Sequence, residues 1–305
     1  MAVPAQLARG GASPARRSLR KIGVGYAFIA PSLALYLFFF IYPFVVSIYY
    51  SFLSWGNIGR PEFVGLANYA RLIGDTILRQ ALWHNIIWVV VGTAAPIIIA
   101  LLLGVLMWRG VRGMIFFRTI YFLPVVLAEV VVAIIWNWIY HPLFGALNQL
   151  LTAVGLGSLA RGWLGDPQTA LMALLVTAIW GYFGFAFVVI VAGLQDVNVD
   201  LVEVAMLDGA NGWQRFIYVI IPELRPVLTM ITTYTMIGGF NVFGIVFAMT
   251  QGGPGTATQV IGTYTYRKAF QENDIGYGAA LSLVMTVITL VASYLFIGLR
   301  EQGDA

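Results

Sequence analysis

The sequence predicts an all-α membrane protein with six transmembrane helices and both termini in the cytoplasm. Three observations carry that reading. Of 305 residues, 60% are hydrophobic and only 10% are charged, where an ordinary globular domain carries roughly 25% charged residues. Six apolar runs are each long enough to cross a bilayer, which takes about 20 residues. The basic residues then gather in the loops of one side, as cytoplasmic loops do.

The elements follow in order. Residues 1–21 are rich in Ala, Gly and Pro and hold Arg9, Arg16, Arg17, Arg20 and Lys21; they predict a flexible, basic cytoplasmic tail. The start is like that of a signal peptide, but the apolar stretch after it is too long and no small-residue cleavage pattern follows. The first span is therefore expected to stay, over 26–52. The second is predicted over 80–108 and the third over 119–140, interrupted only by Glu129. The fourth covers 168–194, the fifth 226–250 and the sixth 275–299, before a short tail at 301–305. Hydrocarbon cannot satisfy open backbone groups, so each run is predicted helical. Residues 22–300 read as one membrane domain with short loops and no internal repeat.

Orientation comes from Lys and Arg. With the N-terminus inside, the inner segments hold five in the tail, three at Arg109, Arg112 and Arg118, two at Arg215 and Arg225, and Arg300. The outer loops hold Arg60, Arg71, Arg79, Arg161, Arg267 and Lys268. The net charge of +4 is small, and no nucleic-acid partner is expected. Cysteine is absent and the two histidines, His84 and His141, sit near different span ends. No thiolate or histidine-rich metal site, and no nucleophile–histidine–acid constellation, is expected.

The loop over 196–226 is the most informative stretch. Asp200 and Glu203 have capping-box spacing and predict a short helix from Leu201, stopping near Gly209, which can take a positive φ. Asn211 and Gln214 repeat the pattern and start a second helix. Its Trp213, Phe216, Ile217 and Ile220 fall on one side, able to lie against the membrane; Pro222 is expected to end it. A helix–glycine turn–helix with five acids (Asp196, Asp200, Glu203, Asp208, Glu223) against two arginines suits docking better than chemistry, and an amphipathic connector is the plainer alternative.

At this loop the sequence resembles a family. Glu203-Val204-Ala205, Asp208-Gly209-Ala210 and Ile221-Pro222 look like the EAA signature of ABC-importer permease subunits, with Val204 and Ile221 in place of the usual alanine and leucine. Thr250-Gln251-Gly252-Gly253-Pro254, then Tyr264, Tyr266, Ala269, Phe270 and Gly276 to Ala280, is similar to the carbohydrate-uptake branch, of the maltose and glycerol-phosphate type. The resemblance spans about 25–299. It implies the type I importer permease fold and a multi-pass inner-membrane subunit of an importer. A second homologous permease subunit would complete the pathway, and two ATPase subunits would dock on 201–222. An extracytoplasmic solute-binding protein would deliver a sugar or related polyol. It implies that Glu203, Ala205, Asp208, Gly209, Ala210 and Pro222 form the ATPase-coupling element of an alternating-access cycle. No cofactor is expected on this chain: Lys21 and Lys268 stand in no phosphate-binding Gly-Lys-Ser/Thr context, so ATP and Mg would act on the partner ATPase.

Candidate solute contacts are neutral and aromatic. On the fourth span Ala178, Tyr182 and Phe185 share a face, and on the fifth Tyr234, Gly238 and Asn241 do the same. Helix packing is the competing explanation for both stripes, and it is the preferred one for Ala279, Ser282, Thr286, Thr289 and Ser293 on the sixth. Trp83, Trp108 and Trp138 read as interfacial anchors. Glu129, which costs roughly 2.5–3.5 kcal/mol inside a membrane on insertion scales, either lines the pathway or packs as a neutralised side chain. A proton-coupled secondary transporter using Glu129 is the alternative function.

Overall fold

The computed structural model describes residues 26–56, 60–108 and 113–301. The expected tail at 1–21, residues 302–305, and Arg109 and Arg112 lie outside the described residues. Four helices are long and apolar enough to cross a membrane, or up to six if each of two bent pairs is one span. The first, α1 (Tyr26–Ser51), carries a π-turn at Leu37–Ile41 and an aromatic surface of Phe38, Phe39 and Phe40 that is more than half exposed. An antiparallel pair, β1 (Leu53–Ser54) with β2 (Glu62–Phe63), is a small departure from the all-helical expectation. After α2 (Ala67–Gly74) comes α3 (Thr76–Trp108), the longest helix at 33 residues, with Pro96 inside it.

The expected third span is two helices, α4 (Met114–Val126) and α5 (Glu129–Ile139), meeting at 99°. Leu127 and Ala128 between them are extended. Pro124 explains the break: it lacks an N–H and crowds the carbonyl four residues back, so the last turn of α4 is weakened. A carboxylate is also favoured at a helix start, where Glu129 now stands. The loop after α5 forms α6 (Ala146–Ala153), pinned by Asn148, whose Oδ1 accepts from the Trp163 indole at 2.8 Å. Next is α7 (Ala170–Gln195), unbroken and half buried.

Two short helices follow, α8 (Val199–Leu207) and α9 (Gly212–Glu223). A 71° bend leads into α10 (Arg225–Phe240), and a break at 241–243 separates that from α11 (Gly244–Met249). The expected fifth span is therefore interrupted too. Then come α12 (Ile261–Tyr266), extended by a π-turn at Arg267–Gln271, and α13 (Ile275–Glu301).

Three apolar clusters hold these pieces together. One joins α3, α7 and the loop through Ala100, Phe187, Ile190, Leu194, Val202 and Leu224. At one point α4 and α7 approach so closely that a Cβ on Gly184 would overlap the Tyr121 carbonyl oxygen. A second cluster unites α2, α3, α12 and α13 around Tyr264, Tyr277 and Leu281. The third, around Trp88, Leu174, Leu175, Ile245 and Val246, seats α11 among α3, α5 and α7. Three of the hydroxyls expected on the sixth-span seam bond to their own helix: Ser282, Thr286 and Thr289 donate to carbonyls four residues back, while the buried Ser293 hydroxyl does not.

Candidate coupling elbow and solute pathway

The elbow is built from its caps. Asn198, not Asp200, caps α8: its side chain accepts from the Asp200 N–H at 2.9 Å. The helix therefore starts at Val199, two residues upstream of the expected Leu201, because Asn198 and Asp200 both carry capping side chains and the extended backbone falls at Asn198. At the other end the Ala210 N–H reaches the Ala205 carbonyl at 2.9 Å and the Gly209 N–H reaches Met206 at 3.1 Å. That closure needs a left-handed residue, and Gly209 supplies it at φ +82°. Asn211 and Gln214 form the expected reciprocal capping box, at 2.8 and 2.9 Å. Pro222 does not end α9. A π-turn over Phe216–Ile220 precedes it, and the helix runs on to Glu223 before bending at Leu224. The apolar side of α9 is also split, with Ile220 buried and Trp213 65% exposed.

Val202 is buried in the main core, as are Ile220 and Leu224. The opposite side of the elbow is uncovered: Glu203, Asp208 and Gly209 are exposed, Ala205 and Ala210 partly so, and Leu207 is 88% exposed. A stiff, anchored elbow thus shows apolar and acidic side chains to its surroundings, and exposed apolar groups rimmed by polar ones mark contact surfaces.

The pathway candidates come together in part. Tyr182 donates to Glu129 Oε1, and Phe185 packs on Tyr234 with ring centroids 5.2 Å apart. Tyr234, Gly238 and Asn241 form an exposed stripe on α10. Asn241 ends that helix, its Nδ2 donating to the Ile237 carbonyl at 2.9 Å. Ala178 is buried with Ile245, where α11 tucks against that part of α7, and lines the same small cavity as Tyr182 and Glu129.

Other polar residues, given no site role from the sequence, support these breaks. Asn85 Nδ2 donates to the Phe240 carbonyl at 2.9 Å while its Oδ1 accepts from the Ile261 N–H at 2.9 Å. One side chain thereby serves both the end of α10 and the start of α12, which open backbone in a membrane interior requires. His84 Nδ1 contacts the Gln259 carbonyl at 2.8 Å. Their polarity within an uncharged run was the available signal. Asp75 is the hub of a clamp at the start of α3. It accepts from the Ile77 and Leu78 N–H groups and from the hydroxyls of Tyr264 and Tyr277 at 2.5 Å. Arg71 pairs with Asp274 at 2.9 Å and lies over the Tyr277 ring. Burial works against the Asp75 carboxylate, but the four hydrogen bonds outweigh it and hold its pKa below the ordinary 3.8.

Residues 97–301 match the family model described as binding-protein-dependent transport system inner membrane component. The chain is 36% identical to the probable ABC transporter permease protein YurN of Bacillus subtilis, across 92% of this chain and 97% of that one. It is 32% identical to the lactose transport system permease protein LacF of Rhizobium radiobacter, across 91% and 94%. A further relative is the probable starch degradation products transport system permease protein AmyD of Thermoanaerobacterium thermosulfurigenes, at 31% identity across 93% and 96%. Among solved structures, a chain from a bacterial ABC transporter involved in import of the acidic polysaccharide alginate has the same fold. Its TM-score is 0.81 at 21% identity, covering 95% of this chain and 99% of that one. This chain belongs to the family of inner-membrane components of binding-protein-dependent transport systems, and it is a multi-pass membrane subunit of a transporter.

Proposed function

We propose that the chain is one half of the pathway of an ATP-driven importer for a sugar or related polyol, working by alternating access. The observation that carries the reading is the elbow: a short helix capped at both ends, rooted by Val202 and uncovered at Glu203, Leu207 and Asp208. A partner ATPase subunit seats on residues 201–222. ATP and Mg act there, closing the ATPase dimer and drawing the elbows of the two permease subunits together. A second permease subunit covers the open stripe on α10, and an extracytoplasmic binding protein supplies the solute. Ala178, Tyr182, Phe185, Tyr234, Gly238, Asn241 and Glu129 line the path. A sugar is the solute because relatives are named for lactose and for starch degradation products, and because the candidate lining offers aromatic faces and neutral hydrogen-bonding groups. Both termini lie in the cytoplasm, on the side of the elbow.

Uptake into energised vesicles tests this. Transport lost on ATP depletion and kept in the presence of a protonophore is the expected result. Transport kept without ATP and abolished by the protonophore would overturn it in favour of proton coupling through Glu129.

A further inference from the structure

The pathway reading leaves the class of sugar open, and one carboxylate bears on it. Glu129 begins α5 just past the 99° bend, beside the broken fifth span. Its Oε1 accepts from Tyr182. Its Oε2 occupies the space that a side chain on Gly244, the first residue of α11, would need. No arginine or lysine among the described residues is ion-paired with it. Between these elements lies a cavity of about 140 Å³ with mostly apolar walls, including Pro124, Leu127, Val132 and Ile245. Tyr182 lines this cavity, and Phe185, three residues on, packs on Tyr234 of the exposed α10 stripe with ring centroids 5.2 Å apart.

We propose that the Glu129–Tyr182 pair is a charge filter on the solute path, taking hydroxyl groups of a neutral carbohydrate and turning back anionic sugars. The proposal rests on the pathway reading above and narrows its substrate class. A carboxylate only accepts hydrogen bonds and has about four positions for doing so. Tyr182 fills one, so what enters the cavity meets unspent acceptors and must bring donors. Sugar hydroxyls do. A uronate carboxylate or a phosphodiester brings further acceptors and a like charge towards the exposed Glu129 carboxylate. Specificity of this kind works by rejecting the wrong solute as well as by holding the right one. The cavity is small enough to be a subsite for part of one ring, with Tyr182 and Tyr234 offering ring faces to the remainder.

The test uses the assembled importer in lipid nanodiscs, with the binding protein left out so that its own selectivity does not intervene. Saturation-transfer NMR would measure binding of maltotriose and of a trimeric uronate to wild type, Glu129→Gln and Glu129→Lys. The expected wild type binds maltotriose in preference to the uronate. Glu129→Gln, which keeps the shape and removes the charge, should reduce that preference by roughly tenfold to a hundredfold, and Glu129→Lys should reverse it. Preference for the neutral sugar unchanged in both variants would overturn the filter while leaving the pathway reading intact. Binding of neither sugar by wild type would overturn both.

Discussion

Gly209 offers the sharpest way to perturb the backbone geometry of the elbow without a clash inside the chain. At φ +82°, a Cβ there meets nothing within 4 Å, so a substitution strains the backbone and creates no clash. An L-residue in the left-handed region costs about 1–2 kcal/mol. Asn tolerates it best, and a β-branched side chain is a true outlier there. The series Gly209→Asn, Gly209→Ala, Gly209→Val should therefore rise from a few tenths of a kcal/mol to about 3 kcal/mol. The chain can escape that cost by opening the closure from Ala210 to Ala205 and from Gly209 to Met206, which misdirects α8 relative to α9. If the closed elbow is what the ATPase subunit binds, each 1.4 kcal/mol lowers the affinity about tenfold. Equilibrium association of purified ATPase with permease in nanodiscs, and solute moved per ATP hydrolysed, would both decline in the order Asn, Ala, Val. Wild-type affinity and wild-type stoichiometry in the Gly209→Val protein would refute the docking argument.

Three further outcomes follow from the geometry. Asp75→Asn should lower thermal stability by about 2 kcal/mol, since it weakens charge-assisted hydrogen bonds from two tyrosines at a partly exposed site. Because the folded pKa of Asp75 is depressed, its contribution is complete above the ordinary 3.8 and lost as pH falls through the folded value; melting curves of wild type and Asp75→Asn should converge in acid. Gly184→Ala should cost about 1–3 kcal/mol by overpacking, because the added carbon meets the backbone of Tyr121; a melting temperature equal to wild type would contradict the α4–α7 approach. Asn241→Ala should weaken solute binding or alter sugar preference with assembly intact, and unchanged transport kinetics across several sugars would remove Asn241 from the path.

The long apolar helices were readable in the chain because length and the lack of charge report directly on a bilayer. The expected 168–194 and 275–299 lie within a few residues of α7 and α13. The breaks were harder to see. Hydropathy does not register backbone direction, so 119–140 and 226–250 read as straight runs, although Pro124 with Glu129 and the glycines at 238, 239 and 244 were local signs of interruption. In the elbow, Gly209 and the Asn211–Gln214 box were legible because they are local, while Asn198 and Asp200 offered two neighbouring capping choices. The π-turn ahead of Pro222 let α9 continue where proline alone predicts a stop. The clamp on Asp75 was out of reach of any local pattern: Tyr264 is 189 residues away and Tyr277 is 202. Asn85 is likewise tied to Ile261 from 176 residues off.

The coupling claim is tested most directly by site-specific crosslinking. The chain contains no cysteine, so Ala205→Cys introduces a single thiol at a partly exposed position in the last turn of α8. The account predicts a disulfide or short-linker crosslink from that thiol to the partner ATPase, and protection from a membrane-impermeant thiol reagent added from outside. Labelling from the outer side, or no crosslink in the assembled transporter, would contradict it.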